Sequence, residues 1–262
     1  MTPAALITGG GSGIGAAAAR ALAARGYGVC VTGRRPEPLR TVADEVGGLP
    51  VVADTADPDA TAGAVAQAVE RFGRLDALVC AAGTGAAGTV AEQTLERWNA
   101  VLATNLTGAF LACRAALPHL VEARGAIVTV SSLAGLRAGP ASAAYGASKA
   151  GLIMLTQSIA VDFGPEGVRA NCVCPGWIRT PMADGEMQDL ARRVGGGGAT
   201  GGREAAYVHA TQEVPARRPG TAEEAGETVA WLASPAASYV NGAVLTVDGG
   251  ASAVDVATLA FR

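Results

Sequence analysis

Tyr145 and Lys149 stand four residues apart in the run Tyr145-Gly146-Ala147-Ser148-Lys149, a spacing that puts a phenol and an ammonium on one face of a helix. A cation beside a phenol lowers its pKa from an ordinary value of about 10, which suits it to proton exchange near neutral pH. Ser131 and Ser132 precede this pair across a Gly-rich loop, and the Ser132 hydroxyl is suited to orienting a carbonyl oxygen. Taken alone, a Tyr-x-x-x-Lys pattern fits an ordinary surface pair as well. Its setting decides between the two.

A second constellation lies at the amino terminus. The apolar run 4–8 enters Thr8-Gly9-Gly10-Gly11-Ser12-Gly13-Ile14-Gly15 and then an Ala-rich stretch at 16–24, so a Gly-rich turn opens a helix. Unpaired amide N–H groups and the positive end of the helix dipole attract a pyrophosphate there. Gly11, Gly13 and Ala16 match the dinucleotide fingerprint G-x-G-x-x-G/A in its strand-turn-helix context. An acidic residue about 20 positions further on would mark an NAD site. The second strand ends instead at Gly33-Arg34-Arg35, and a guanidinium holds a 2′-phosphate through charge-assisted hydrogen bonds. The reading is NADP(H), with NAD(H) as the alternative if these arginines are merely solvated.

The elements that must position these groups alternate. Strand-like runs at 4–8, 28–32, 50–53, 77–80, 126–131, 169–173 and 243–247 are separated by helical stretches near 13–25, 37–46, 58–72, 94–122, 145–164 and 221–233. This is the pattern of βαβ units around a parallel sheet, with helices on both faces. Residues 181–215 break the rhythm, because Gly195 to Gly198, Gly201 and Gly202 preclude a continuous helix at reasonable cost. A flexible excursion leaving the carboxyl end of a strand reads as a substrate lid.

The 262 residues, half of them apolar, suffice for one substantial core. The 20 basic and 23 acidic side chains, without basic runs, leave no footprint for nucleic acid or an anionic membrane. No window is expected to approach a membrane span, and the absence of a basic leader favours a cytoplasmic protein. Cys30, Cys80, Cys113, Cys172 and Cys174 are odd in number and mostly sit inside apolar runs, so they read as small buried hydrophobes. No metal site is expected.

Together, TGGGSGIG at 8–15, Asp54, Asn105 in NLTG, Ser132, YGASK at 145–149, PGWIRT at 175–180 and NGAVLTVDGG at 241–250 resemble the short-chain dehydrogenase/reductase family across nearly the whole chain. The resemblance implies a single-domain, Rossmann-type, doubly wound α/β fold with strand order 3-2-1-4-5-6-7. It implies an oxidoreductase that exchanges hydride between NADP(H) and a carbonyl/secondary alcohol pair, most simply a ketoreductase. It also implies a homo-oligomer, tetramer or dimer, built through the long helices near 94–122 and 145–164, to which the apolar tail 254–261 would add.

Carried over residue by residue, Asn105 would hold a water in a proton relay, Ser132 would bind the reacting oxygen and Tyr145 would act as acid/base. Lys149 would bind the nicotinamide ribose and depress the tyrosine pKa. Gly9, Gly11, Ser12 and Gly13 would line the phosphates and Ile14 and Gly15 the cofactor bridge, while Arg34 and Arg35 would meet the 2′-phosphate. Asp54 would lie against adenine, Gly83 beside the adenosine ribose, and Pro175, Gly176, Ile178 and Thr180 around the nicotinamide. One departure stands out: the family's Asn-Asn-Ala-Gly after the fourth strand is Cys80-Ala81-Ala82-Gly83 here, so the side-chain amides that tie down that strand are missing.

Substrate walls are expected from Ser132, Leu133, Ala134, Ala141, Trp177, Met182, Met187 and Tyr207, an apolar set suited to a hydrophobic ketone. His209 reads as a packing or capping residue. Two other functional readings are an NAD-dependent alcohol dehydrogenase and a nucleotide sensor that keeps the fold without catalysis.

Overall fold

The computed structural model describes residues 2–85, 87–194 and 202–255. Seven parallel strands form one sheet in the order β3-β2-β1-β4-β5-β6-β7: β1 Ala4–Thr8, β2 Gly28–Gly33, β3 Leu49–Val52, β4 Ala77–Cys80, β5 Ala126–Val130, β6 Arg169–Pro175 and β7 Val244–Val247. Register aligns the strand ends, with Thr8 beside Thr32 and Cys80, and Cys80 beside Thr129. The loops that leave β1, β2, β4, β5 and β6 therefore emerge along one edge, where ligands of such sheets bind.

The sheet is covered on both sides, and its pleat explains how. Ile7, Val79 and Val128 point to the face packed by helices α1 (Gly13–Ala24), α2 (Pro36–Val46) and α9 (Ala222–Ala233). Their neighbours Leu6, Leu78 and Ile127 point to the opposite face, under α3 (Pro58–Phe72), α5 (Gly108–Ala123) and α6 (Ala143–Phe163). Burial on both faces makes these strands read as unbroken apolar runs rather than as alternating ones. Each fully buried Leu or Ile contributes about 2 kcal/mol. The Ala-rich surface of α1 lets α9 approach closely, to the point that a Cβ on Gly226 would lie 2.7 Å from Ala17 Cβ.

Three expectations are revised. The helix expected at 94–122 is broken in pitch: α4 (Leu95–Leu102) passes through a π-helical turn, Ala103–Thr107, into α5. Joined, Leu95–Ala123 is long enough to cross a membrane and holds an 18-residue window of mean hydropathy 1.4, apolar enough to do so, contrary to the reading that no window approaches that. Its inner face is occupied otherwise, since Ala112, Cys113, Ala116 and Leu120 pack with Leu78 and Ile127 in the core. Finally, the described part of 181–215 is largely helical, as α7 (Pro181–Val194) and α8 (Arg203–Thr211). The two helices share a small core of Ala183, Met187, Ala206 and Tyr207. The glycines at 195–198 and 201, and the tail 256–262, lie outside the described residues.

Candidate active site

Strand β5 and helix α6 bring the first constellation together. The Lys149 Nζ lies 5.6 Å from the Tyr145 ring centroid and donates to the Val130 carbonyl at 2.8 Å. The Ser131 hydroxyl donates to the Lys149 carbonyl at 2.8 Å, pinning helix to strand. The next residue, Ser132, turns the chain into a short 3-10 turn, Leu133–Gly135, and its Oγ accepts the Ala134 N–H at 3.1 Å. Tyr145 and Ser132 are half-buried, while Lys149 is only 4% exposed.

The π-helical turn holds Asn105, which is 1% exposed. Widened turns of this kind are frequent at functional sites. The Asn105 side chain accepts from Thr84 N at 2.8 Å and donates to Thr84 O at 2.9 Å and Ser148 Oγ at 3.0 Å. Pairing with both backbone groups of Thr84 fixes the orientation of the amide. Ser148 in turn donates to the Tyr145 carbonyl at 2.7 Å. A continuous polar chain thus runs from the loop after β4 through Asn105 and Ser148 to the first turn of α6. Neither Thr84 nor Ser148 was singled out in the sequence, because their partners lie 21 and 43 residues away from them.

The electrostatics correct one expectation. Burial pushes the Tyr145 phenol above its ordinary value, the Ser132 hydroxyl pulls it back, and the Glu186 carboxylate raises it further. Lys149 does not set the direction of that shift. Its ammonium is held by Val130 O below the ring and is itself lowered by burial to about 8. In the chain by itself, then, the tyrosine is a reluctant acid.

The loop after β1 has the shape that a phosphate requires. Gly9 adopts φ +67°, and a Cβ there would stand 2.7 Å from Ala82 N. Gly13 has φ +54° and packs on the Thr180 methyl, with 3.1 Å between that methyl and an added Cβ. Ser12 precedes α1 without a side-chain cap, and the first turn carries no acidic residue, so the opening amides and the helix dipole stay available to an anion. Arg35 reaches over this loop, its Nη2 donating to Ser12 Oγ at 3.4 Å. Arg34 is exposed, with no side-chain partner among the described residues. Glycine cradle, uncapped helix and adjacent guanidinium together fit a dinucleotide phosphate.

The remaining positions fall along the same edge. A Cβ on Gly83 would lie 3.5 Å from Lys149 Nζ and 3.6 Å from Asn105 Oδ1. After β4, where the side-chain amides are missing, the Thr8 hydroxyl donates to Val79 O at 3.5 Å and accepts from Ala82 N at 3.3 Å. Asp54 is exposed and closes a turn by accepting the Ala56 N–H at 3.0 Å. Past β6, Gly176 N donates to Val247 O and Ile178 bridges Gly220. The Thr180 Oγ accepts the Ala183 N–H at 3.2 Å, capping α7 and leaving its own proton free.

Among the wall candidates, Leu133 and Ala134 are half-buried beside Ser132, and Trp177 and Met182 are partly open at 38% and 42%. Tyr207 is misassigned as a wall. It is fully buried in the α7–α8 core, its hydroxyl donates to Asp184 Oδ1 at 2.9 Å, and its ring carries the Arg179 guanidinium at 4.5 Å. Met187 is likewise buried there, whereas His209 is exposed. A cleft of about 500 Å³ borders Ala134, Arg137, Ala141 and Ala147. It lies beside the tyrosine site, and none of Asn105, Ser132, Tyr145 or Lys149 lines it.

Comparison with known proteins agrees with this geometry. Residues 9–252 match the family model described as enoyl-(acyl carrier protein) reductase. The chain is 43% identical to protein MoaE of Klebsiella aerogenes, covering 98% of both chains. It is 37% identical to 2-(R)-hydroxypropyl-CoM dehydrogenase of Xanthobacter autotrophicus, covering 97% of this chain and all of that one. An actinorhodin polyketide ketoreductase crystallised with NADPH superposes with a TM-score of 0.88 at 34% identity, covering 95% and 97% of the two chains. This chain belongs to the short-chain dehydrogenase/reductase family and is a nicotinamide-dependent oxidoreductase of alcohol and carbonyl groups.

Proposed function

We propose that the protein is an NADP(H)-dependent ketoreductase whose working residues are Asn105, Ser132, Tyr145 and Lys149. The nicotinamide, when bound, supplies or accepts the hydride. The protein does the rest. Ser132 donates to the carbonyl oxygen and fixes its position, and Tyr145 delivers a proton to that oxygen as charge develops on it. Lys149 holds the cofactor ribose. Asn105 keeps the loop after β4 in register with α6 and presents its remaining acceptor capacity to a relay water. Helices α7 and α8 act as the lid. Leu133, Ala134, Trp177 and Met182 supply an apolar wall.

The phosphate cradle would be formed by Gly9, Gly11, Ser12, Gly13, Ile14 and Gly15. Asp54 and Gly83 would meet the adenosine, and Pro175, Gly176, Ile178 and Thr180 the nicotinamide. Exposed Phe110, Met154 and Val161 on α5 and α6 support assembly into a homo-oligomer, and the five free, buried cysteines suit the cytoplasm.

The observation that carries the choice of cofactor is Arg35 reaching Ser12 over the glycine loop, at a strand end that bears no carboxylate. Steady-state kcat/KM with NADPH and NADH on a ketone panel tests it. The wild-type chain should prefer NADPH by about 100-fold, and Arg34→Ala and Arg35→Ala should each erode the preference about tenfold, as expected for lost charge-assisted hydrogen bonds. Equal use of both cofactors by the wild-type chain would replace this reading with an NAD-dependent dehydrogenase.

A further inference from the structure

Helix α7 carries three carboxylates, and only two of them are engaged. Asp184 accepts the Tyr207 hydroxyl and pairs with Arg203 at 3.3 Å, and Asp189 pairs with Arg192 at 3.0 Å. Glu186 makes no hydrogen bond or ion pair among the described residues. Two positions beyond Asp184, it faces away from the α7–α8 core and towards the loop after β4: its Oε1 lies 3.4 Å from where a Cβ on Gly85 would stand. Gly85 directly follows Thr84, the residue clamped by Asn105, and Gly83 rests against Lys149 Nζ. The carboxylate therefore stands at the mouth of the tyrosine site, near enough for its charge to oppose ionisation of Tyr145.

Four cations of the site and the lid have partners of their own, and Arg193, two turns along the helix, is exposed. Lys149 is held by Val130 O, Arg179 by Glu204 and the Tyr207 ring, Arg203 by Asp184 and Arg192 by Asp189. The wall residues Leu133, Ala134, Trp177 and Met182 carry no charge. Glu186 is exposed in the free chain; a substrate seated against Tyr145 strips water from it, which is costly for a lone carboxylate unless the substrate brings a partner.

We propose that Glu186 selects carbonyl substrates bearing an ammonium or similar cationic group near the reacting carbon, and discriminates against anionic ones. This inference rests on Tyr145 marking the reacting centre.

A matched ketone series tests it: one bearing a trimethylammonium group, its neutral tert-butyl isostere and a carboxylate counterpart. The fixed charge of the first removes pH from the comparison. In the wild-type chain kcat/KM should favour the trimethylammonium ketone over the isostere by about tenfold, with the carboxylate poorest. Glu186→Gln should bring the first ratio close to one, Glu186→Asp should leave it intermediate, and Asp189→Asn should keep the wild-type ratio. The corresponding alcohols, titrated calorimetrically against NADPH-saturated protein, give the same ratios without turnover. Ratios that are the same in wild type and Glu186→Gln, or that fall equally in Asp189→Asn, overturn the proposal while leaving the reductase reading intact. A binding preference that vanishes in Glu186→Gln, with no turnover of any ketone, supports the role of Glu186 and overturns the reductase reading instead.

Discussion

Lys149 does its work at a cost to the fold. Its ammonium is almost wholly buried, with one carbonyl for company, and its value is lowered to about 8 from an ordinary 10.5. Between those values the folded chain has released a proton that the unfolded chain retains, so stability rises with pH across the interval. Below about pH 8 the burial penalty is present in full. Tyr145, raised above its ordinary 10.0, acts in the opposite direction only beyond pH 10. The buried Cys30 and Cys113 thiols, held above their ordinary 9.0, act in the opposite direction above pH 9, so the Lys149 contribution is read as a difference: the urea midpoint of the cofactor-free wild-type chain should gain on that of Lys149→Met between pH 8 and 10. The same burial explains why sequence spacing misjudged the pair. An i, i+4 arrangement places phenol and ammonium on one face, but it does not say that the ammonium will be drawn to Val130 O beneath the ring.

At the scale of elements, the lid is braced as one body. Tyr207 fills its core, its hydroxyl reaches across from α8 to Asp184 on α7, and Arg179 lies over its ring. Tyr207→Phe keeps the packing and removes a hydrogen bond to a carboxylate, worth about 1.5–3 kcal/mol. Hydrogen exchange should quicken in α7 and α8 together by about tenfold, with KM rising more than kcat falls. Loss of protection confined to α8 would mean that the helices move separately. What was legible at this scale follows from burial. Strand 4–8 is bounded to the residue because its run ends at Gly9, whereas the two lid helices are obscured by the glycines between and beside them. The π-helical turn left no trace in the sequence, since an apolar helix keeps its composition through a change of pitch.

Across the whole molecule, parallel register delivers five loops to one edge, so residues as distant as Gly13 and Thr180, or Thr84 and Asn105, come into contact. Sheet order could be anticipated through the family resemblance, the positions of the tyrosine, lysine and glycine motifs from local pattern, and the covering of both faces from the right-handed crossover. The anchoring contacts could not. The Thr8 hydroxyl bonded to the chain on either side of the end of β4, and Glu186 leaning over the mouth of the site, depend on which loops the fold brings together. All of this converges on one phenol beside a nucleotide cradle. The most direct test is Tyr145→Phe, assayed for NADPH binding by fluorescence and for turnover of a ketone that the wild-type chain reduces. The account predicts cofactor affinity within about threefold of wild type and kcat lower by about a thousandfold, in the range of a lost acid/base group. Turnover within a few fold of wild type, with the cofactor bound, would contradict it.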